Sequence, residues 1–325
     1  MDFIDMNFDT GLARAVLSAT LPVFLLVALG AGLRRIRLLS ADGWAAIDRI
    51  VYFVLFPALL FRAVATAQLQ GAQAVPMAAA LIAATVIMAV LVWLAGWRLR
   101  TGRPVLGVML MGAVRFNTFL GVAIAERLMG PRGLALTALC IAALVPTVNI
   151  LSVLTLPGAG GGAGGGKGGR SVPARIGGVL RALLTNPLIL ACAAGGAVNR
   201  LDLLPPPEVM EAVDIAGRAS LAIGLIAVGA GLEFAALTRR VLPLLTGTVV
   251  KLILFPALGA GTLVLAGLDG QALLVGVMWL ALPSAPSSYV MARAMGGDAA
   301  LMAGLLTAQL LFGLATLPVW LLLFA

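Results

Sequence analysis

Ten apolar segments, each about as long as a lipid bilayer is thick, constrain the fold of this chain more than any other feature. The hydrocarbon core of a bilayer is about 30 Å thick and needs roughly 20 apolar residues in a helix. The segments cover residues 15–33, 47–67, 74–97, 104–128, 133–156, 183–199, 209–233, 241–267, 271–295 and 299–324. The sequence therefore predicts an all-α polytopic membrane protein with ten transmembrane helices.

The charged residues are few and lie mainly between the apolar segments. Only 11% of the 325 residues are charged, and the mean hydropathy is +1.10. The net charge of +9 does not predict nucleic-acid binding, because the basic residues fall in short loops and form no basic face. An N-terminus on the outer side places most of the Lys and Arg residues in cytoplasmic loops, as expected for a multi-pass protein. We therefore predict a plasma-membrane protein, in a bacterial inner membrane, with both termini outside.

The residue types that enzymes and metal sites need are scarce. The chain has no histidine, and Cys140 and Cys192 each lie inside an apolar run. Histidine is the commonest general base and metal ligand. We expect no catalytic residues, no metal and no cofactor.

The second half of the chain repeats the first. Arg35 corresponds to Arg200 at a shift of 165 residues, and at 166 Asp48 corresponds to Asp214. A glycine-rich run separates the halves, which predicts a five-helix repeat at 1–157, a flexible cytoplasmic linker at 158–172 and a second repeat at 173–325. Since five is an odd number, the two repeats must cross the membrane in opposite directions. Inverted repeats are typical of secondary transporters, whose substrate sites lie near the midplane between the repeats.

Two polar stretches interrupt apolar segments at corresponding positions. The first, residues 115–121, contains Arg115, Asn117 and Thr118 near the centre of the fourth span. Intramembrane charges usually face a cavity, a partner or a ligand. The alternative for Arg115 is an internal pair that joins two helices. At the 166-residue shift Asn117 falls on Pro283, so we predict that the two stretches form one substrate site.

The second stretch, residues 282–288, breaks the ninth span with two prolines. Pro283 and Pro286 remove backbone donors and clash with preceding carbonyls. The broken backbone would favour an anionic group, and Ser284, Ser287 and Ser288 would hydrogen-bond to it. The alternative is a simple proline kink whose serines bond to their own helix.

Lys251 is a second deep cation, in the eighth span. Two deep cations without a central carboxylate favour an organic anion as the substrate. The alternative for Lys251 is a structural contact with a neighbouring carbonyl. Charged residues near the predicted span ends are interpreted as interfacial residues or gate pairs, and Asn149 and Asn186 as residues that cap or tie helices. The end residues are Asp48, Arg49, Asp214, Arg218 and Glu233.

These residues make the chain resemble the auxin efflux carrier family, part of the bile acid/auxin carrier-like superfamily. The matching pieces keep their order along the whole chain. They are Asp48-Arg49-Ile50, Phe56-Pro57-Ala58-Leu59-Leu60-Phe61, Asn117-Thr118-Phe119-Leu120-Gly121, Asn186-Pro187-Leu188-Ile189, Ala281-Leu282-Pro283 and Tyr289-Val290-Met291-Ala292-Arg293.

The resemblance implies a 5+5 inverted repeat whose fourth and ninth helices are broken and cross. It also implies an elevator mechanism, a homodimer, and an Asn on the fourth helix that contacts a substrate carboxylate, which Asn117 matches. Phe116 stands where plant members carry proline, and the central loop is shorter than theirs.

The resulting hypothesis is a secondary active or potential-driven permease for small organic anions such as carboxylates, with either a uniport or a proton-coupled mechanism. The predicted site comprises Arg115, Asn117, Thr118, Lys251, Pro283, Ser284, Pro286, Ser287 and Ser288. A receptor or regulatory subunit that binds an organic anion without transporting it is the main alternative. A membrane-embedded enzyme would need a cluster of acids, His or Cys, which the sequence lacks.

Overall fold

The structure is a computed structural model that describes residues 10–66, 73–155, 184–238, 240–294 and 296–324. All regular structure in these ranges is helical. The predicted linker at 158–172 lies outside the described residues.

The described residues of the first half contain six α-helices. Their bounds are α1 (Thr10–Arg35), α2 (Ala41–Ile50), α3 (Phe56–Ala65), α4 (Ala74–Arg98), α5 (Arg103–Val114) and α6 (Thr118–Thr155). A π-helical turn, Val51–Leu55, joins α2 to α3, so that Ala41–Ala65 is one continuous helix.

The described residues of the second half contain seven α-helices. Their bounds are α7 (Pro187–Leu201), α8 (Pro207–Ala230), α9 (Val241–Val249), α10 (Phe255–Leu265), α11 (Gly270–Ala281), α12 (Ser287–Ala294) and α13 (Ala299–Phe324). A π-helical turn, Val250–Leu254, joins α9 to α10.

Helix α6 reverses its direction at Gly130. This residue has φ +55° and ψ −139°, a conformation that favours glycine, and Pro131 follows it. A Cβ at Gly133 would contact the Ala125 carbonyl. Residues eight apart in a straight helix would be separated by about 12 Å. The two arms of α6 therefore fold back, and the turn separates the predicted fourth and fifth spans.

Each π-helical turn precedes a Phe-Pro-Ala-Leu sequence. Proline cannot donate a hydrogen bond to the carbonyl four residues earlier, so that carbonyl needs another partner. For Pro256 this is the Leu252 carbonyl, which accepts a 2.8 Å hydrogen bond from the Trp320 indole. The turn at Val250–Leu254 is thus held by the last helix of the chain.

Seven helices in the described residues are long and apolar enough to cross a membrane. The sequence predicted ten spans, and two facts account for the difference of three. The stretch Arg103–Ser152 counts once although it contains both the fourth and the fifth predicted spans. Helices α7 and α11 are apolar but shorter, with 15 and 12 residues.

The helix ends of the first half recur at a nearly constant distance along the chain. Four helices end at Arg35, Ala65, Arg98 and Val114, and four end 165 to 167 residues later, at Leu201, Ala230, Leu265 and Ala281. This spacing agrees with the sequence repeat.

The helices pack into two bundles. The first bundle contains α1, α2, α3, α7 and α8, with the closest packing between α3 and α7 and between α1 and α8. The second contains α4, α5, α6, α9, α10, α11, α12 and α13. Contacts of α1 with α13, and of α1, α3, α7 and α8 with α6, join the bundles. Phe56 meets Phe119 between the bundles, with ring centroids 4.6 Å apart.

Candidate functional site

The fourth predicted span is broken at residues 115–117, although this stretch contains no proline. Helix α5 ends at Val114, and Arg115 is extended, with φ −75° and ψ 157°. Asn117 begins the next helix as its N-cap: its Oδ1 accepts a 3.3 Å hydrogen bond from the Leu120 amide. We call residues 115–117 the first break.

The ninth predicted span is broken at residues 282–286. Helix α11 ends at Ala281, Leu282 is extended with φ −62° and ψ 139°, and α12 begins at Ser287. The sequence predicted this interruption from Pro283 and Pro286. We call residues 282–286 the second break.

The two breaks contact each other inside the second bundle. The Asn117 backbone amide donates a 2.7 Å hydrogen bond to the Pro283 carbonyl, which joins the two residues that the predicted repeat pairs. Gly121 permits this approach, because a Cβ there would lie 2.7 Å from the Leu282 side chain and 3.0 Å from Trp279. The breaks are therefore parts of one structure.

Gln309 of α13 connects the backbones of both breaks. Its Oε1 accepts a 3.0 Å hydrogen bond from the Ser284 amide, and its Nε2 donates a 2.9 Å bond to the Gly112 carbonyl. The Ser284 hydroxyl donates to the same carbonyl at 3.0 Å. All three residues are buried. Ser284 was predicted to bind substrate, but here its hydroxyl bonds to backbone.

Arg115 reaches from the first break to α12 and to the second arm of α6. Its Nε donates to the Ser288 hydroxyl at 2.9 Å, and its terminal nitrogens donate to Asn149 Oδ1 at 3.0 Å and to the Ser287 hydroxyl at 3.2 Å. Because both serine oxygens accept from Arg115, their own hydroxyl hydrogens are free to point toward an anion.

The Asn117 side chain has an unsatisfied donor. Asn117 is 1% exposed, and its Nδ2 has no hydrogen-bond partner among the described residues. Since Oδ1 is fixed by the Leu120 amide, the NH₂ group must point the other way. An unmade hydrogen bond of this kind costs about 1–3 kcal/mol. The arrangement suits an acceptor such as a carboxylate oxygen.

The remaining residues of the predicted site are Thr118, Pro286 and Lys251. Thr118, half-buried, is the first residue of α6, and the Pro286 carbonyl accepts from the Tyr289 amide. Lys251 is buried in the π-helical turn Val250–Leu254, away from the Arg115 hydrogen bonds, with Nζ 4.6 Å from the Phe255 ring centroid.

The sequence interpretation did not include Gln309 in the site. The sequence contained a feature that could have identified it, because Gln309 is the only residue with a side-chain amide in a 26-residue apolar helix. Asn149 was interpreted as a residue that caps or ties helices, and in the structure its side-chain oxygen accepts a hydrogen bond from Arg115.

Two of the charged residues near the predicted span ends, Asp214 and Arg218, form ion pairs within the first bundle. Asp214 of α8 forms ion pairs with Arg62 of α3 and with Arg218 of α8. In the described part of the chain, no group of three or more His, Cys, Asp or Glu residues could hold a metal ion.

The second half of the chain matches a known family. The family model described as membrane transport protein, the domain of the auxin efflux carriers, matches residues 173–321. These residues are similar to the membrane transport protein domain. The match confirms the predicted resemblance in the second half, which contains the second break, Lys251 and Gln309. No curated protein matches the chain significantly.

The match to the membrane transport protein family indicates a membrane transporter. Arg115 and Asn117 lie outside the matched residues. Their connection with the domain is structural, through the Asn117–Pro283 and Arg115–Ser288 hydrogen bonds.

Proposed function

We propose that this protein is a permease for small organic anions such as carboxylates, with its site where the two breaks meet. The observation that carries the proposal is the buried Nδ2 of Asn117, which has no partner among the described residues. A carboxylate oxygen placed there would accept a hydrogen bond from the side-chain amide of Asn117. Arg115, with the Ser287 and Ser288 hydroxyls, would supply positive charge and further donors.

The fold that we propose around this site is a 5+5 inverted repeat whose broken helices cross. Two observations support it: the helix ends recur after 165 to 167 residues, and Asn117 bonds directly to Pro283, its counterpart in the repeat. Discontinuous helices near the midplane are typical of substrate sites in secondary transporters.

The division into two bundles supports an elevator mechanism. In this proposal the second bundle carries the site across the membrane while the first bundle stays fixed. Phe56 and Phe119 contact each other across the bundles, whereas Val64 and Gly195 are neighbours within the first bundle. In a background without Cys140 and Cys192, a thiol cross-link between Cys at 56 and 119 should stop transport. A cross-link between 64 and 195 should leave transport intact, and arrest by both links would contradict the mechanism.

The proposed location is a bacterial inner membrane, with both termini outside and two copies forming a homodimer. Labelling of terminal tags in intact cells tests the orientation. Light scattering of the purified protein tests the assembly.

The decisive experiment separates the two roles of Asn117. Serine is as good an N-cap as asparagine but is too short to place a donor at the position of Nδ2. Asn117→Ser should therefore preserve α6 and weaken anion binding by about tenfold to a hundredfold, the value of a hydrogen bond to a charged group.

Asn186→Ser is the matched control. Asn186 caps α7 in the same way, with Oδ1 accepting from the Leu188 amide at 2.9 Å. Binding of malonate, malate, phenylacetate and indole-3-acetate would be measured by thermal shift, and their uptake in proteoliposomes. Equal affinity in wild type and Asn117→Ser would remove Asn117 from the site. Binding without uptake would favour the receptor alternative.

A further inference from the structure

Lys251 is a buried cationic side chain without a counter-ion. It is 0% exposed, and its Nζ has no hydrogen-bond partner in the described ranges. The Phe255 ring, 4.6 Å from Nζ, is its one aromatic contact there. Buried ammonium groups are normally paired, because removing an unpaired charge from water is costly.

The elements around Lys251 contain no acid. The π-helical turn that carries it packs against α5, α9, α10, α11 and α13. The one other charged residue in these five helices is Arg103, which is exposed at the start of α5. No carboxylate on these helices can therefore balance an ammonium at Lys251.

Lys251 lies beside the helices that end at the two breaks. A Cβ at Gly247, one turn before Lys251, would lie 2.7 Å from Leu305, and a Cβ at Gly112 would lie 2.9 Å from the same side chain. One helical turn is about 5.4 Å. Lys251 therefore lies roughly one helical turn from the hydrogen bonds that connect Gly112, Ser284 and Gln309.

The ends of α5 and α11 favour a cation. Both helices end at a break, and the C-terminal end of a helix carries partial negative charge. In secondary transporters, such half-helix ends and unwound carbonyls hold the coupling ion. In this protein the π-helical turn Val250–Leu254 places the side-chain amine of Lys251, which can carry a positive charge, near these helix ends.

We infer that Lys251 carries the coupling proton of this permease, so that transport is driven by protons and needs no sodium. The amine takes up one proton when an organic anion binds at the breaks and releases it when the anion leaves. No bond other than this N–H forms or breaks. The inference rests on the proposed function, since the bound anion supplies the missing counter-charge.

Binding of the proton must then raise the affinity for the anion by the same factor as binding of the anion raises the affinity for the proton, because linkage is reciprocal. A permanently charged lysine held only by the Phe255 ring would give no such linkage. Transport of one proton with one monoanion would be electrically neutral.

The experiment uses the full-length protein in proteoliposomes, with malonate, malate, phenylacetate and indole-3-acetate as probes. With the inside one pH unit more alkaline, the membrane potential held at zero and no sodium present, wild type should accumulate malonate about tenfold above protein-free liposomes, the ratio that one proton per anion supports. Lys251→Met, which has nearly the same length and no charge, should bind the probe and equilibrate it without accumulation. Lys251→Arg should bind it but not accumulate it, because arginine keeps its proton.

A second measurement does not depend on either variant. Calorimetric titration of wild type in two buffers with different ionisation enthalpies should show uptake of one proton per bound probe. Three results would each overturn the inference. They are undiminished pH-driven accumulation in Lys251→Met, binding of the probe to wild type without proton uptake, and accumulation that requires sodium. Failure of all four probes to bind wild type would overturn the proposed function as well.

Discussion

The first break contains no proline, whereas the second contains two. Pro283 and Pro286 interrupt the helix through their own chemistry, because they lack backbone donors. The first break is held by contacts from elsewhere: the Pro283 carbonyl accepts from the Asn117 amide, and Gln309 accepts and donates across both breaks. One broken helix can therefore impose a break on its neighbour.

The largest effect is expected for Gln309→Leu. This change leaves the buried Ser284 amide without its acceptor, at a cost of about 1–3 kcal/mol, and removes one of two hydrogen bonds from the Gly112 carbonyl. Thermal unfolding in detergent should occur at a clearly lower temperature, and uptake should fall. Gln271→Leu is the control, because Gln271 is exposed near the start of α11. Equal losses in both variants would show that the first break does not depend on Gln309.

A smaller effect is expected for Gly121→Ala. The new methyl group would lie 2.7 Å from Leu282 and push the breaks apart, at a cost of about 1–3 kcal/mol for overpacking, of which the helix preference of alanine offsets up to about 1 kcal/mol. Gly261→Ala is the control, since a Cβ there meets nothing within 4 Å. Alanine favours helix by up to about 1 kcal/mol over glycine, so the control should melt at the same temperature or higher. A Gly121→Ala protein with normal stability and uptake would contradict the close contact.

The smallest effect is expected for Pro286→Ala. The hydrogen bonds of Ser284 and Asn117 should keep the second break open, so the expected loss is about 0.4–1 kcal/mol from the greater freedom of the unfolded chain. Uptake should stay close to that of wild type. Loss of uptake together with a large drop in melting temperature would show that local proline chemistry, and not the contact with the first break, holds this region.

Most of the helical architecture could be predicted because hydrophobic length is a local property. The predicted spans at 74–97, 241–267 and 299–324 coincide with α4, with α9 to α10 and with α13 within a few residues. The reversal at Gly130 also falls between predicted spans, where Gly130-Pro131 interrupts the apolar pattern.

The hydrogen bonds within the site could be predicted only in part. Arg115 and Asn117 were recognised because polar groups are rare in apolar segments. Which partner each would meet depends on helices far apart in the chain. Ser284 was assigned to substrate and instead bonds to the Gly112 carbonyl, and the contribution of Gln309 was missed.

The sequence by itself determined the number and position of the apolar segments, the scarcity of catalytic residues and the pairing of Asn117 with Pro283 in the repeat. These properties follow from composition and spacing along the chain. Only the tertiary structure decided that the two breaks touch, that Asn117 Nδ2 is buried without a partner in the described chain, and that Lys251 lies among helices without an acid. The reason is physical: the cost of an unpaired polar group depends on what surrounds it, and its surroundings are assembled from both halves of the chain.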